Sequence, residues 1–342
     1  MKAIAIRGYG GVEQVELVDL PEPEPGPDEV VVRLRAAALN HLDLWTLSGT
    51  LALTIQFPFT LGADGAGEVV ATAASVRGVK VGANVLINPG ISCRECEQCR
   101  AGEESRCVNF RLLGRHVPGT FAQFVRVPST NVWPIPEHLS MAQAAALGVT
   151  FGTAYRNLFT VGRLMAGESL LITGIGGGLA LSLFQLGRPI AEKLFVTSSS
   201  SKKLDRAAAL GADAGINYKD EDVAAAVRAL TDGRGVDLIV DAAGGDTIDT
   251  SLQCLRPGGR LVISGATAGA EGRFNLRRLF GQHFHIIGST MASDRDFSEM
   301  LRELTARRIE PVIDRTFPLA EAADALAYLE SQSQFGKVVL EI

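Results

Sequence analysis

Cysteine is scarce in this sequence, and four of the five cysteines in 342 residues lie between positions 93 and 107. That clustering argues against a disulfide framework spread along the chain and favours a local metal site. No apolar run approaches the roughly 18 residues of a spanning helix, so no membrane partner is expected. Positive charge is not in excess either. The 33 Lys and Arg are outnumbered by 38 Asp and Glu, for a net charge of -5, which gives no footprint for a nucleic-acid partner. The first seven residues lack the apolar core of a signal peptide and read as a strand, so a cytoplasmic location is expected. Internal repeats and low-complexity segments are missing. With 46% hydrophobic and 21% charged residues, the composition is that of a folded chain and not a disordered one.

Glycine, by contrast, is plentiful at 37 residues, which predicts tight turns and close backbone approaches. At about 150 residues per domain the length predicts two domains. Residues 1 to about 130 alternate short β-rich runs (12–20, 29–35, 68–73, 84–88) with Gly/Pro turns, and 21–27 is a stiff acidic connector. The middle of the chain changes character. Strand-like runs at 169–173, 194–197, 214–218, 236–241, 260–264 and 283–289 alternate with helical runs at 178–186, 202–210, 222–230 and 247–255. Such a series predicts a doubly wound parallel sheet, and its nearly all-apolar strands fit burial on both faces. Leu210-Gly211 reads as a helix stop, and Pro257-Gly258-Gly259 as a turn into the next strand. Beyond 290 the pattern is helix (297–308), strand (312–317), helix (319–331) and strand (337–342), read as a return to the first domain. The expected domains are therefore 1–151 with 290–342, and 152–289.

Cys93, Cys96, Cys99 and Cys107 are spaced C-x2-C-x2-C-x7-C. Four thiolates on two turn-like steps and a loop suit a closed, structural, tetrahedral Zn2+ site. An iron–sulfur cluster is disfavoured by the last spacing and by Val108 in place of Pro; metal-free thiols are the other alternative. Arg94, Arg100 and Arg106 stand beside ligands, either offsetting thiolate charge or as plain surface charge. Cys254, alone in an apolar helix, reads as core.

The strand-like run 169–173 leads directly into Gly174-Ile175-Gly176-Gly177-Gly178-Leu179-Ala180, and a helical run follows. Glycines between strand and helix allow a tight turn and close approach of a pyrophosphate, which the N–H groups and dipole of the helix N-terminus then bind. About 20 residues on, an NAD site normally shows a carboxylate for the ribose 2′-OH. Here the chain reads Val196-Thr197-Ser198-Ser199-Ser200-Ser201-Lys202-Lys203. Hydroxyls and lysines without a carboxylate suit a 2′-phosphate, so NADP(H) is expected over NAD. The same run also reads as a helix N-cap followed by solvated lysines, and the two readings are compatible.

Together these features resemble the medium-chain dehydrogenase/reductase superfamily over essentially the whole chain. The resemblance is carried by residues 37–45 (AALNHLDLW), 61–67 (LGADGAG), the four-cysteine lobe, the glycine-rich turn, 210–218 (LGADAGINY) and 257–269. It implies an α/β Rossmann domain with a doubly wound parallel sheet, plus a GroES-like, mostly β domain. It implies a small-molecule substrate and a homodimer or homotetramer, with the last Rossmann strand available for edge pairing. By position it assigns Gly174, Gly176, Gly177, Gly178, Leu179, Ser199, Lys203 and Tyr218 to the nucleotide, with Lys203 and Tyr218 at the 2′-phosphate. Thr153 and Gly265 match residues lining the nicotinamide. Pro189 departs from the pattern and should stop the first Rossmann helix near Arg188.

The larger departures lie where zinc alcohol dehydrogenases hold their catalytic metal. Asn40 stands at the first Cys position, Ala63 at the His position followed by Asp64, and 147–153 offers no Cys, Asp or Glu. The resemblance is therefore to the quinone-oxidoreductase-like branch, with the structural zinc lobe kept. A neutral alcohol without a Lewis acid is a poor hydride donor, whereas a quinone or α,β-unsaturated carbonyl accepts hydride readily. The expected activity is an NADP(H)-dependent reduction of such an acceptor. Asn40 is the first candidate donor to the carbonyl oxygen; His41 is a candidate proton relay and Tyr155 a candidate pocket residue. The rival readings are an alcohol dehydrogenase recruiting zinc through His41, Asp64 or another group, and a non-catalytic NADPH-binding protein.

Overall fold

The computed structural model describes residues 1–51 and 54–342, which form two compact units, Met1–Gly152 with Ala292–Ile342, and Thr153–Met291.

The second unit is built on six parallel strands among the described residues, in the order Ala214–Asn217, Lys193–Ser198, Ser169–Ile172, Val236–Asp241, Leu255–Ile263, His285–Gly288. The chain starts mid-sheet, winds one way and then reverses, as in a Rossmann fold. Leu170, Ile172, Leu194, Val196, Leu238 and Val240 have no exposed surface, because helices cover both faces of a parallel sheet. The first helix, Gly178–Gly187, stops one residue short of Arg188, as Pro189 requires. Helix Ser201–Ala209 ends at Leu210, with Gly211 in a left-handed conformation (φ +101°). One expected boundary is corrected. Pro257-Gly258-Gly259 does not separate a helix from a strand; it lies inside the strand Leu255–Ile263. Val236 pairs with Leu255 but Leu238 with Arg260, so the extra residues bulge out of the ladder while pairing continues on either side. Cys254 is fully buried at the end of Thr247–Cys254, and burial pushes its thiol up to about 12.

The first unit is a mostly antiparallel β structure with a GroES-like domain's layout. Its largest sheet runs Val132–Pro134, Asn84–Ile87, Asp64–Thr72, Glu29–Ala38, Lys337–Glu341, Ile313–Pro318, with Phe124–Pro128 also pairing to Glu29–Ala38. A smaller sheet joins Lys2–Ile6 to Val15–Asp19 and Phe59–Thr60. Two expectations shift here. The run 12–20 opens with a 3-10 turn, Val12–Gln14, before the strand Val15–Asp19. The strand expected from 68 begins at Asp64, because Asp64-Gly65-Ala66-Gly67 is buried against neighbouring strands and needs no β-branched side chains to extend. At Gly67 a Cβ would sit 2.0 Å from the Arg33 carbonyl oxygen, so only glycine fits.

Candidate functional site

Sheet register builds the first site. Strand Lys337–Glu341 pairs antiparallel with Glu29–Ala38, Val339 opposite Ala38. On its other side Glu29–Ala38 pairs with Asp64–Thr72, Ala38 opposite Asp64. The ends of three neighbouring strands therefore bring together Asn40, Asp64 and Lys337. The Lys337 Nζ donates to Asn40 Oδ1 at 2.7 Å and to Asp64 Oδ2 at 3.1 Å. Asn40 Nδ2 donates to Asp64 Oδ2 at 2.9 Å and, at 3.4 Å, to the Ala38 carbonyl. Asp64 Oδ1 accepts from the Val149 N–H at 2.7 Å, at the start of helix Gly148–Tyr155. All three side chains are buried, at 7%, 0% and 4% exposure for Asn40, Asp64 and Lys337. A Cβ on Gly148 would lie 2.4 Å from Asp64 Oδ1, so the carboxylate's approach to that helix depends on glycine.

Asp43 supports the cluster from below. Its Oδ2 accepts from the Asn40 N–H at 2.7 Å and its Oδ1 from the Gly62 N–H at 3.2 Å, tying helix His41–Ser48 to the loop before Asp64. Burial pushes its carboxyl up to about 7, against opposing backbone hydrogen bonds and the Lys337 charge. The native state thus holds this proton more tightly than the unfolded chain does. Its stabilisation is complete below pH 4 and is lost as pH rises towards 7. At about 1.4 kcal/mol per pH unit, the stability of wild type relative to Asp43→Asn should fall by about 2 kcal/mol from pH 5 to pH 7. Chemical denaturation at the two pH values measures it, and an unchanged difference would place Asp43 ionised throughout.

Neither Lys337 nor Asp43 stands out among the site candidates of the sequence. Asp43 had a readable signal, Asn40 followed three residues later by Asp at a helix start, which is a capping pattern. Lys337 had only its place at the head of an apolar run, where a lone lysine reads as a surface residue. Of the other expected site residues, His41 is half-buried, edge-on to the Trp45 ring at 5.0 Å, and burial lowers its pKa. Tyr155 packs on the Phe159 ring at 4.9 Å. Thr153 is buried.

In the second unit the glycine-rich turn is held by the end of the neighbouring strand. The Ile175 N–H donates to the Thr197 carbonyl at 2.7 Å, and the Gly174 N–H to Thr197 Oγ1 at 3.1 Å. Gly174 and Gly176 have φ of +69° and +126°, a region that side chains rarely adopt. Space is open where a Cβ on Gly174 or Gly177 would point, and Gly177 caps helix Gly178–Gly187 without a side-chain hydrogen bond. The turn and the helix N-terminus that follows it fit a pyrophosphate. Lys203 lies over this turn: a Cβ on Gly176 would meet its Cδ at 2.7 Å and its Nζ at 3.2 Å. Ser199 is half-buried and Tyr218 is exposed, with the Tyr218 N–H donating to the Ser198 carbonyl at 3.2 Å. Gly265 packs so closely that a Cβ would stand 2.2 Å from the Ala242 carbonyl oxygen. That contact requires glycine whatever else binds there.

The cysteine lobe gathers Cys93, Cys96, Cys99 and Cys107 with all four sulfurs within 4.8 Å of one another. Individual separations are 3.4 Å (Cys93–Cys107), 3.5 Å (Cys96–Cys99) and 4.0 Å (Cys93–Cys99). A tetrahedron of sulfurs around zinc has edges of about 3.8 Å, so the donor set fits a closed zinc site. The N–H groups of Cys93 and Asn109 donate to Cys107 Sγ at 3.2 and 3.3 Å and orient that ligand. Arg94 pairs with Asp294 and Arg106 with Glu103, so both are engaged by carboxylates. The Arg94 pair anchors the lobe to helix Asp294–Arg307.

Two family models match the chain: the "Alcohol dehydrogenase GroES-like domain" over residues 26–137 and "Zinc-binding dehydrogenase" over 210–340. An NAD-dependent alcohol dehydrogenase of Sulfolobus acidocaldarius is 33% identical, with 100% of both chains covered. An acryloyl-coenzyme A reductase of Sulfurisphaera tokodaii is 28% identical, again over 100% of both. A crystal structure of an NAD-dependent alcohol dehydrogenase superposes with a TM-score of 0.96 at 40% identity, covering 100% of each chain. The fold, the cysteine lobe and these full-length relatives establish that the chain belongs to the medium-chain dehydrogenase/reductase superfamily of oxidoreductases.

Proposed function

We propose that this protein is an NADP(H)-dependent reductase of quinones or α,β-unsaturated carbonyls that works without a catalytic zinc. The observation that carries the reading is the Asn40–Asp64–Lys337 cluster. At the positions where family members place a Cys and a His for the metal, this chain has an amide and Ala63. The Asp64 carboxylate beside them has both oxygens engaged, Oδ2 by an ammonium, and the oxygens of the neighbouring Asp43 carboxylate accept from the Asn40 and Gly62 N–H groups. An ammonium against the carboxylate repels a divalent cation, and an amide with a methyl group makes a poor zinc donor set.

A bound nicotinamide would supply the hydride. The chain's own part is to align the acceptor and to meet the negative charge that grows on its carbonyl oxygen. Asn40 is the donor for that charge, with Lys337 behind it on Oδ1. The choice of NADP(H) rests on residues 197–203 and on Lys203 over the turn, since similar proteins are named as NAD-dependent. The named substrate of the Sulfurisphaera relative, an acryloyl thioester, is of the α,β-unsaturated class. We also propose a homodimer or homotetramer. His285–Gly288 is the end strand of the parallel sheet, and Leu276 and Phe280, on the helix that precedes it in the chain, are 65% and 69% exposed.

A panel of quinones, enones and alcohols, run with both cofactors, tests the reading. Enones or quinones with NADPH should turn over at least tenfold faster than primary alcohols with NADP+. A chelator mild enough to leave one zinc per chain should not change the rate. Brisk alcohol oxidation, lost with a second metal while the protein stays folded, would establish the alcohol-dehydrogenase reading instead.

A further inference from the structure

We infer that Lys337 is a positioning residue of this site: its buried ammonium locks the Asn40 amide in one orientation. The inference deepens the reductase reading and rests on it for the acceptor class. An amide has one acceptor end and one donor end, and here each meets a partner that can play only one part. Lys337 Nζ, which can only donate, is 2.7 Å from Oδ1; the Asp64 carboxylate oxygen is 2.9 Å from Nδ2. Flipping Asn40 would set N–H against N–H and oxygen against oxygen. The backbone is held as well, through the Asn40 N–H on Asp43 Oδ2.

The arrangement is a costly way to gain stability. An ammonium carries three protons, and Asn40 and Asp64 take two; no third acceptor is found among the described residues. Burying a charge in that state costs more than packing an apolar side chain of the same volume. What the ion pair provides is direction. The second Nδ2 hydrogen, held only by the 3.4 Å contact to the Ala38 carbonyl, is the one left for a substrate oxygen. Lys337 acts through Asn40, and 297 residues of chain separate the two.

Two variants test this. Lys337→Gln removes the charge but can still hydrogen-bond to Oδ1. Lys337→Met with Asp64→Asn removes both charges, so that no unpaired charge is left buried if the single variant folds poorly. Two readouts are followed. With selective 15N-asparagine labelling, and Asn40→Asp to assign the signal, exchange of the Asn40 side-chain amide protons should quicken at least tenfold in both variants. Turnover of whichever acceptor or alcohol the wild type uses should fall ten- to a hundredfold, with the KM for the nucleotide within twofold. If the double variant melts within a few degrees of wild type and keeps wild-type exchange or turnover, Lys337 is only a structural partner of Asp64 and the inference fails. A wild type confined to alcohols would overturn the reductase reading while the exchange measurement still decides the role of Lys337.

Discussion

Lys203→Ala is expected to weaken NADPH binding by about ten- to a hundredfold and to leave NADH binding within about twofold. The magnitude follows from a charge-assisted hydrogen bond to phosphate, worth roughly 1.5 to 3 kcal/mol. The selectivity follows from where the charge lies. Lys203 sits over Gly176 at the mouth of the glycine-rich turn, and the run 197–203 offers hydroxyls and ammonium groups but no carboxylate to hold a ribose 2′-OH. NADH has no phosphate there, so it has little to lose. Fluorescence titration of both cofactors against wild type and variant measures the two constants. Equal losses for the two would place Lys203 at the pyrophosphate, and a preference of the wild type for NADH would overturn the NADP(H) assignment itself.

Cys96→Ser is expected to release the zinc and to cost several kcal/mol of stability, while the catalytic constants of molecules still folded change little. In a closed four-thiolate site the metal's binding free energy is folding free energy, and no coordination position is open to a substrate. The metal-free lobe also resists full ionisation. Burial pushes the Cys99 thiol up to about 12, while backbone N–H groups hold Cys96 down at about 6. Zinc binding should therefore release protons, and its affinity should rise with pH. Elemental analysis should find one zinc per wild-type chain and less than one in the variant, whose thermal midpoint should fall. Two tightly held zincs in the wild type would show a second metal site, against the poor donor set that Asn40, Ala63 and the Lys337-paired Asp64 present.

Much of this molecule was legible because its signals are local. The alternation of apolar strands with helices from 169 to 289, the glycines between strand and helix, and the stop imposed by Pro189 each depend on neighbours within a few turns of chain. The cysteine lobe is local too, since its ligands span 15 positions. Where local reading slipped, the cause was burial. Asp64-Gly65-Ala66-Gly67 has no strand-forming composition but is strand because it pairs with Leu34–Ala38, where the Arg33 carbonyl leaves no room for a side chain at Gly67. Pro257-Gly258-Gly259 looks like a break and is absorbed as a bulge because the parallel ladder resumes on its far side.

Spacing and periodicity along the chain carry the α/β series, the glycine-rich turn and the four-cysteine lobe, and the family resemblance sets Asn40 and Ala63 at the places expected for zinc ligands. What Asn40 meets comes from the assembled fold alone. Lys337 reaches Asn40 and Asp64 because the last strand of the chain lies beside Glu29–Ala38 with Val339 opposite Ala38, a register that no local periodicity encodes. Likewise Asp43 reads as an ordinary acid near a helix start. Folding buries it completely, because the N–H groups of Asn40 and Gly62 converge on its two oxygens. Propensity and spacing act over a few residues. A buried charge is tolerated only where distant chain segments supply its partners, so the assembled sheet set the role of Lys337.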